Sequence, residues 1–140
     1  MIVLDTNVLS EVMRSDPSPR VINWIDRQSF GELFTTAITV GEIYCGIELL
    51  PKGRRRDNLF VAAETIFNRE FLDRALAFNA EAARAFSRIY ARCRFRGRPI
   101  SQSDAQIAAI VQLHGATLAT RNIADFESCS IDLFDPWQEG

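Results

Sequence analysis

Histidine and cysteine are scarce in this sequence, and the few that occur lie far apart. His114 is the single histidine, and the three cysteines are Cys45, Cys93 and Cys129. No pair has the spacing of a zinc site or a CxxC motif, so we expect reduced, mostly buried thiols. The histidine precedes Gly115, where a helix should end. Any metal ion would therefore be bound by oxygen atoms, which favours a hard cation such as Mg²⁺ or Mn²⁺.

Long apolar runs are missing as well. No stretch approaches the roughly 18–20 residues that cross a bilayer, and no charged leader precedes an apolar segment. The length of 140 residues fits one domain, residues 1–140, and the composition is 47% hydrophobic and 24% charged. We therefore expect a single-domain cytoplasmic protein without membrane contact.

Strand-like and helix-like segments alternate along the chain. Short apolar runs typical of strands lie at residues 2–4, 33–38, 75–78, 116–119 and 131–134. Helical periodicity lies between them, at residues 8–13, 20–27, 43–50, 59–71, 80–95 and 105–113. This alternation with short connections predicts an α/β fold, with a central parallel sheet of about five strands flanked by helices on both faces.

Asp5 follows the first predicted strand directly, and Thr6 and Asn7 come next. Ligand crevices of α/β sheets lie at the carboxyl ends of the strands, so a carboxylate, a hydroxyl and an amide stand where function is expected. Aspartate is also a common N-cap between a strand and a helix, and capping is the competing explanation.

Three further acids share this context. Glu42 follows the second strand in the first turn of the next helix, Asp104 opens the apolar helix, and Asp125 follows the fourth strand. Thr39 with Glu42, and either Ser101 with Asp104 or Ser103 with Gln106, also fit capping boxes, and Asp125 could cap a helical turn. Carboxylates ~4 Å apart repel by about 4 kcal/mol at an effective dielectric of ~20, so a converging cluster needs a cation. The acidic cluster therefore predicts a bound divalent metal ion. Pairs of such ions ~3.5–4 Å apart catalyse the cleavage of phosphodiester bonds. Thr6 and Asn7 would orient the first acid or the scissile phosphate.

The sequence resembles the PIN-domain ribonucleases, specifically the VapC-type toxins of bacterial toxin–antitoxin pairs. Four motifs in the same order, and a fifth near the end of the chain, carry this resemblance. They are LDTN at residues 4–7, AITVGE at 37–42 with Gly46 after it, SDA at 103–105, ATRNIADF at 119–126 and FDPW at 134–137. The resemblance covers nearly the whole chain. It implies a PIN-like fold, metal-dependent RNA cleavage, a homodimer, and inhibition by a small VapB-type antitoxin. The protein would bind DNA only indirectly, through that antitoxin.

The resemblance also implies roles for single residues. The metal-binding acids of the family fall on Asp5, Glu42 and Asp104. The fourth acid matches Asn122 in some relatives and Asp125 in others, and because Asn122 is neutral we assign the role to Asp125. These four acids are the expected catalytic and metal-binding residues, with Mg²⁺ (or Mn²⁺) as cofactor. Asn122 would contact the metal through water.

Lysine is nearly absent, since fifteen arginines and one lysine supply the positive charge of a chain with net charge −2. Arginines cluster at 54–56 and, around Phe95, at 92–98. Arginine binds phosphate through two parallel hydrogen bonds. The clusters could hold RNA phosphates with one base stacked on the phenylalanine, could receive an acidic antitoxin tail, or could be solvated helix ends. Arg121, beside the acids, is the better candidate for a substrate phosphate.

Three other functions compete with the ribonuclease interpretation. A phosphatase with Asp5 as nucleophile, of the haloacid-dehalogenase kind, would need a second acid where Asn7 stands. A non-catalytic binding module would show the loss of at least one acid, and no loss is evident. A DNA nuclease would use the same acids. The choice of RNA rests on the resemblance alone, because no residue can be assigned to the sugar 2′-hydroxyl.

Overall fold

The computed structural model describes residues 1–138, and within them five strands form one sheet in the order β3-β2-β1-β4-β5. The strands are β1 (Ile2–Leu4), β2 (Leu33–Thr36), β3 (Ala75–Leu76), β4 (Thr117–Ala119) and β5 (Asp132–Phe134). Every neighbouring pair is parallel. The predicted α/β fold with a parallel sheet of about five strands is confirmed.

Helices cover both faces of this sheet, as predicted. They are α1 (Thr6–Val12), α2 (Pro19–Arg27), α3 (Ala37–Glu48), α4 (Arg54–Thr65), α5 (Ala80–Phe95), α6 (Gln102–Leu113) and α7 (Ile123–Phe126). Successive side chains of a strand point to opposite faces. Val3 accordingly packs in a core with α5 and α6, whereas Leu4 packs in a second core with α1 to α4. No helix within residues 1–138 is long and apolar enough to cross a membrane.

The boundary between β2 and α3 differs from the prediction. The strand ends at Thr36 rather than at residue 38, because the Thr36 hydroxyl accepts the backbone N–H of Thr39 at 3.1 Å and so caps α3. Glu42 therefore lies in the second helical turn and not the first. The predicted capping box of Thr39 with Glu42 is wrong.

Other boundaries shift by a few residues. Helix α4 begins at Arg54 and not at residue 59, so the arginines at 54–56 form its first turn, and it continues as a π-helical turn over Ile66–Glu70. Strand β3 is two residues shorter than the predicted 75–78. Two of the three thiols are buried, Cys93 and Cys129, while Cys45 is exposed. His114 caps the end of α6, as expected.

The order of the strands fixes where a site can form. From β1 the chain adds β2 and β3 on one side of the sheet, then crosses to the other side of β1 to form β4 and β5. Crevices open at the carboxyl ends of strands where the order reverses in this way. In this fold that point lies between β1 and β4.

Candidate active site

A pocket of about 680 Å³ opens at this edge of the sheet. Its walls come from α1, α3, α4, α6, the segment after β4 and the end of the chain. Among the lining residues are Asp5, Thr6, Asn7, Glu11, Arg14, Glu42, Arg55, Asp104, Arg121, Asn122 and Trp137. Three of the four predicted acids therefore reach one pocket from three separate elements.

Asp5 is buried, with 3% of its surface exposed, and both of its carboxylate oxygens are engaged. Oδ1 accepts the backbone N–H of Thr6 at 2.8 Å, which makes Asp5 the N-cap of α1. Oδ2 accepts the Thr120 hydroxyl at 2.7 Å and the Asn7 amide at 3.2 Å. Burial raises the pKa of Asp5, the bonds from Thr120 and Thr6 counteract this effect, and repulsion from Glu42 adds to it.

Glu42 is oriented by a chain of threonine hydroxyls. The Thr6 hydroxyl donates to Glu42 Oε1 at 2.6 Å and lies 3.1 Å from the hydroxyl of Thr39. Thr39 in turn lies 3.3 Å from the hydroxyl of the capping Thr36. Asn7 contacts Asp5 as expected, but the side chain of Thr6 reaches the second acid rather than the first. Because the chain of hydroxyls begins at the helix cap, it links the start of α3 to the pocket.

Asp104 is half-buried at the start of α6, where the Ser101 hydroxyl accepts its backbone N–H at 3.1 Å. The capping explanation for this pair is confirmed, since Ser101 is the N-cap. Burial, and then repulsion from Asp5, Asp125 and Glu42, raises the pKa of Asp104 to about 6, although hydrogen bonding of its carboxylate with the Ser101 side chain opposes the shift. Burial and the neighbouring carboxylates therefore both favour the neutral form of Asp104.

Asp125 is the one predicted acid that does not line the pocket, although its charge repels that of Asp104. It is exposed in the first turn of α7, outside the lining of the pocket. Asn122, its competitor for the fourth position, does line the pocket, and its backbone N–H donates to Thr120 Oγ1 at 3.0 Å. Of these two candidates, only Asn122 lines the pocket. The role of Asp125 stays a prediction.

The donor set of the pocket suits a hard divalent cation. Its potential ligands are carboxylate, hydroxyl and amide oxygens. Within the described chain, no three carboxylate, imidazole or thiol groups are gathered into a preformed metal cage. Mg²⁺ rarely needs one, because it keeps several waters and usually binds through one or two carboxylates together with substrate phosphates. A cation would also relieve the repulsion that raises the pKa of Asp104.

Arginines surround the acidic pocket. The guanidinium of Arg121 lies 4.9 Å from the centre of the Trp137 ring, and the Arg121 backbone N–H donates to Asn7 Oδ1 at 3.1 Å. Arg14 pairs with the buried Glu11 at 3.1 Å. The pocket therefore combines an acidic floor with basic groups that suit a phosphate.

The sequence alone did not assign a role to several residues of the site. They are Thr120, Trp137 and the pair of Glu11 with Arg14. A signal existed for Thr120. Leu4 is in register with Ala119, so the residue after β4 stands level with Asp5. A polar residue directly after each of two paired parallel strands is therefore expected to meet its counterpart. No comparable signal links Trp137 with Arg121, since that contact depends on how the end of the chain folds back.

Comparison with known proteins finds relatives over the whole chain. The family model of the PIN domain matches residues 2–128. The chain is 36% identical to VapC ribonuclease Y4jK of Sinorhizobium fredii and 34% identical to Toxin FitB of Neisseria gonorrhoeae, with at least 99% of every chain covered. The solved structure of FitAB bound to an IR36 DNA fragment superposes with a TM-score of 0.91 at 34% identity, covering 100% of this chain and 98% of that one. The chain belongs to the PIN domain family.

Proposed function

We propose that this protein is an endoribonuclease toxin of a type II toxin–antitoxin system, which hydrolyses RNA phosphodiester bonds with Mg²⁺ or Mn²⁺. One observation carries the proposal. Asp5, Glu42 and Asp104 line a single pocket in a chain whose full-length relatives include a VapC ribonuclease and Toxin FitB. The chain acts as one PIN-like domain.

The carboxylates would hold the cation. Asp5, Glu42 and Asp104, which line the pocket, would be its ligands, Asp125 would act from beside Asp104, and Asn122 would contact the ion through water. When bound, such an ion activates water for attack on phosphorus and stabilises the leaving oxygen. Burial of Asp5 and the raised pKa of Asp104 make the empty acidic pocket electrostatically unfavourable, which favours binding of a cation.

The surrounding residues fix these groups before substrate arrives. Thr120 and Asn7 hold one oxygen of Asp5, while Thr6 holds Glu42. Hydrogen bonds of this kind set the orientation of metal ligands and maintain their geometry during the reaction. Arg121 would bind a phosphate of the substrate, because Trp137 keeps its guanidinium at the mouth of the pocket.

The partner of the toxin would be a cognate VapB-type antitoxin. The structure of FitAB bound to DNA, which superposes over the whole chain, supports this assignment. The protein itself would form a homodimer and would contact DNA only through the antitoxin. Co-expression with a candidate antitoxin, followed by affinity purification and light scattering, would test the antitoxin partner and the homodimer. Recovery of a free monomer would contradict them.

Cleavage of a labelled structured RNA by the partner-free protein tests the activity. We expect cutting with Mg²⁺ or Mn²⁺, none with EDTA, and none from Asp5→Asn or Asp104→Asn. Asp26→Asn, an identical change at an exposed position of α2, is the matched control and should cut normally. A folded protein that cuts no RNA in either metal would be a binding module. Equal cutting of DNA of the same sequence would make it a general nuclease.

A further inference from the structure

The end of α5 presents an aromatic ring to solvent among arginines. Phe95 has 88% of its surface exposed, and Arg94, Arg96 and Arg98 beside it are exposed too. We call these four residues the α5-end patch. A large aromatic ring at that exposure contributes almost nothing to the core, so packing does not account for its presence.

The backbone beneath the patch is fixed. Gly97 has φ +71, and the N–H groups of Gly97 and Arg98 donate to the carbonyls of Arg94 and Cys93 at 3.1 and 2.9 Å. This pair of bonds is the Schellman motif that ends many helices, and its left-handed position favours glycine. The motif holds Arg94, Phe95, Arg96 and Arg98 in a defined arrangement around one turn. A fixed arrangement lowers the entropy lost when a ligand binds.

The patch neighbours the start of α6 and the segment that follows β4. Helix α5 packs along α6, and only residues 96–101 join its end to the start of α6, where Asp104 lines the pocket. Arg98 pairs at 3.4 Å with Glu127, which directly follows α7. Arg92 donates to the hydroxyl of Ser130 at 3.4 Å. These contacts join the end of α5 to the segment that follows β4 and its Thr120.

The helix dipole explains only part of this charge. A cation in the last turn of a helix is stabilising, which accounts for Arg92 and Arg94. Arg96 and Arg98 lie beyond that turn, and the dipole gives no reason for an exposed phenylalanine. Within residues 1–138, Arg94 and Arg96 form no ion pair, and the pair of Arg98 with Glu127 is half-exposed and therefore weak. Much of the positive charge is left without a carboxylate.

We propose that the α5-end patch binds an unpaired stretch of the RNA substrate next to the scissile phosphate, an inference that rests on the proposed function. Arg94 and Arg96 contact backbone phosphates, and Phe95 stacks on one base. An arginine groove with an aromatic platform is the usual means of binding single strands, whereas bases in a duplex are already stacked on each other. Acidic side chains of a polypeptide would match the charge, but they offer no aromatic partner for the ring.

Binding of a labelled single-stranded oligouridine to the full chain carrying Asp5→Asn tests the proposal, because no cleavage interferes. Phe95→Ala should weaken binding about tenfold or more, and should affect duplex RNA little. Arg94→Gln with Arg96→Gln should lower the slope of log affinity against log salt by about 1.4. The matched control, Arg84→Gln with Arg88→Gln, removes the same charge from exposed positions of α5 and should do neither.

In the chain that retains Asp5, cleavage separates this proposal from the proposed function. Phe95→Ala should raise KM more than it lowers kcat. If the parent cuts RNA and the patch variants bind like the control, the patch proposal is wrong and the proposed function stands. If poly-glutamate binds as tightly as oligouridine, and Phe95→Ala leaves its affinity unchanged, the patch is a site for an acidic peptide instead. A dimer that Phe95→Ala dissociates would make it a subunit interface. A parent that neither cuts nor binds RNA overturns both proposals.

Discussion

Asp5 uses its two carboxylate oxygens differently, so capping of α1 does not exclude a role in the pocket. Oδ1 caps α1 through the N–H of Thr6, while Oδ2 is held by Thr120 and Asn7 at the edge of the pocket. Capping therefore orients the carboxylate without consuming it. At α6 the tasks are divided, because Ser101 supplies the cap and Asp104 lines the pocket.

Thr120→Val tests the hydroxyl that holds Asp5. Thr120 is fully buried, donates to Asp5 at 2.7 Å and accepts the N–H of Asn122 at 3.0 Å. Valine keeps the shape but removes the hydrogen bonds of this hydroxyl with Asp5, Asn7 and Asn122, so the free energy of unfolding should fall by about 1–3 kcal/mol. RNA cleavage should fall about tenfold or more, because the acid loses its orientation. Thr120→Ser should restore both quantities, and a valine variant that cuts as fast as the serine variant would refute this role.

Asp104→Asn should make the metal-free protein more stable at neutral pH. The pKa of Asp104 is about 6 in the fold against 3.8 for an ordinary aspartate. The fold therefore binds more protons than the unfolded chain between these values, and stability falls as pH rises through that window. With the shift discounted for partial solvent exposure, asparagine should add about 1–2 kcal/mol at pH ~7.5 and little at pH ~4. Urea denaturation in EDTA at both pH values measures this, and an equal gain at both would contradict it.

At the scale of the element, one side chain sets the boundary between β2 and α3. The run from Leu33 to Ile38 is apolar or β-branched, so it predicts a strand to its end. The Thr36 hydroxyl instead accepts the N–H of Thr39 and starts the helix two residues early. Local hydrogen bonds of threonine compete with strand pairing, and pattern alone does not decide between them.

Thr36→Val tests the cap of α3. Loss of the hydroxyl that accepts the Thr39 N–H should lower the free energy of unfolding by about 0.5–2 kcal/mol, since a helix N-cap contributes that much. Because the same hydroxyls lead through Thr6 to Glu42, cleavage should also fall. Thr36→Ser keeps the acceptor and is the control. If the valine and serine variants have equal denaturation midpoints, the Thr36 hydroxyl does not stabilise α3 as an N-cap.

Helices and strands were predictable where neighbouring residues in the sequence determine them. Site residues were predictable where they directly follow a strand. Alternating strands and helices, and Asp5 after β1, follow from local pattern. The pair of Arg121 with Trp137 does not, because it needs the chain end to return to β4. Whether Asp125 lines the pocket likewise depends on where the short helix α7 is placed.

At the scale of the whole molecule, the central position of β1 explains how distant residues share one pocket. Its neighbours are β2, which leads to Glu42, and β4, which leads to Thr120. Residues from the start of the chain, the middle and the end therefore meet at one edge. A ligand that binds there contacts groups held by three elements, so its binding should stabilise the fold as a whole.

Thermal unfolding in Mg²⁺ and in EDTA tests that consequence. At a concentration of Mg²⁺ about 100-fold above its dissociation constant, stability should rise by about 2.7 kcal/mol, or about 5–10 °C in Tm for a chain of this size. Asp104→Asn should start from a higher Tm in EDTA, because the repulsion that raises the pKa of Asp104 is gone, yet should lose most of the response to Mg²⁺. Asp26→Asn should respond like the parent, and NaCl of equal ionic strength should not reproduce the rise. Equal responses of the parent and Asp104→Asn would place the cation outside this pocket.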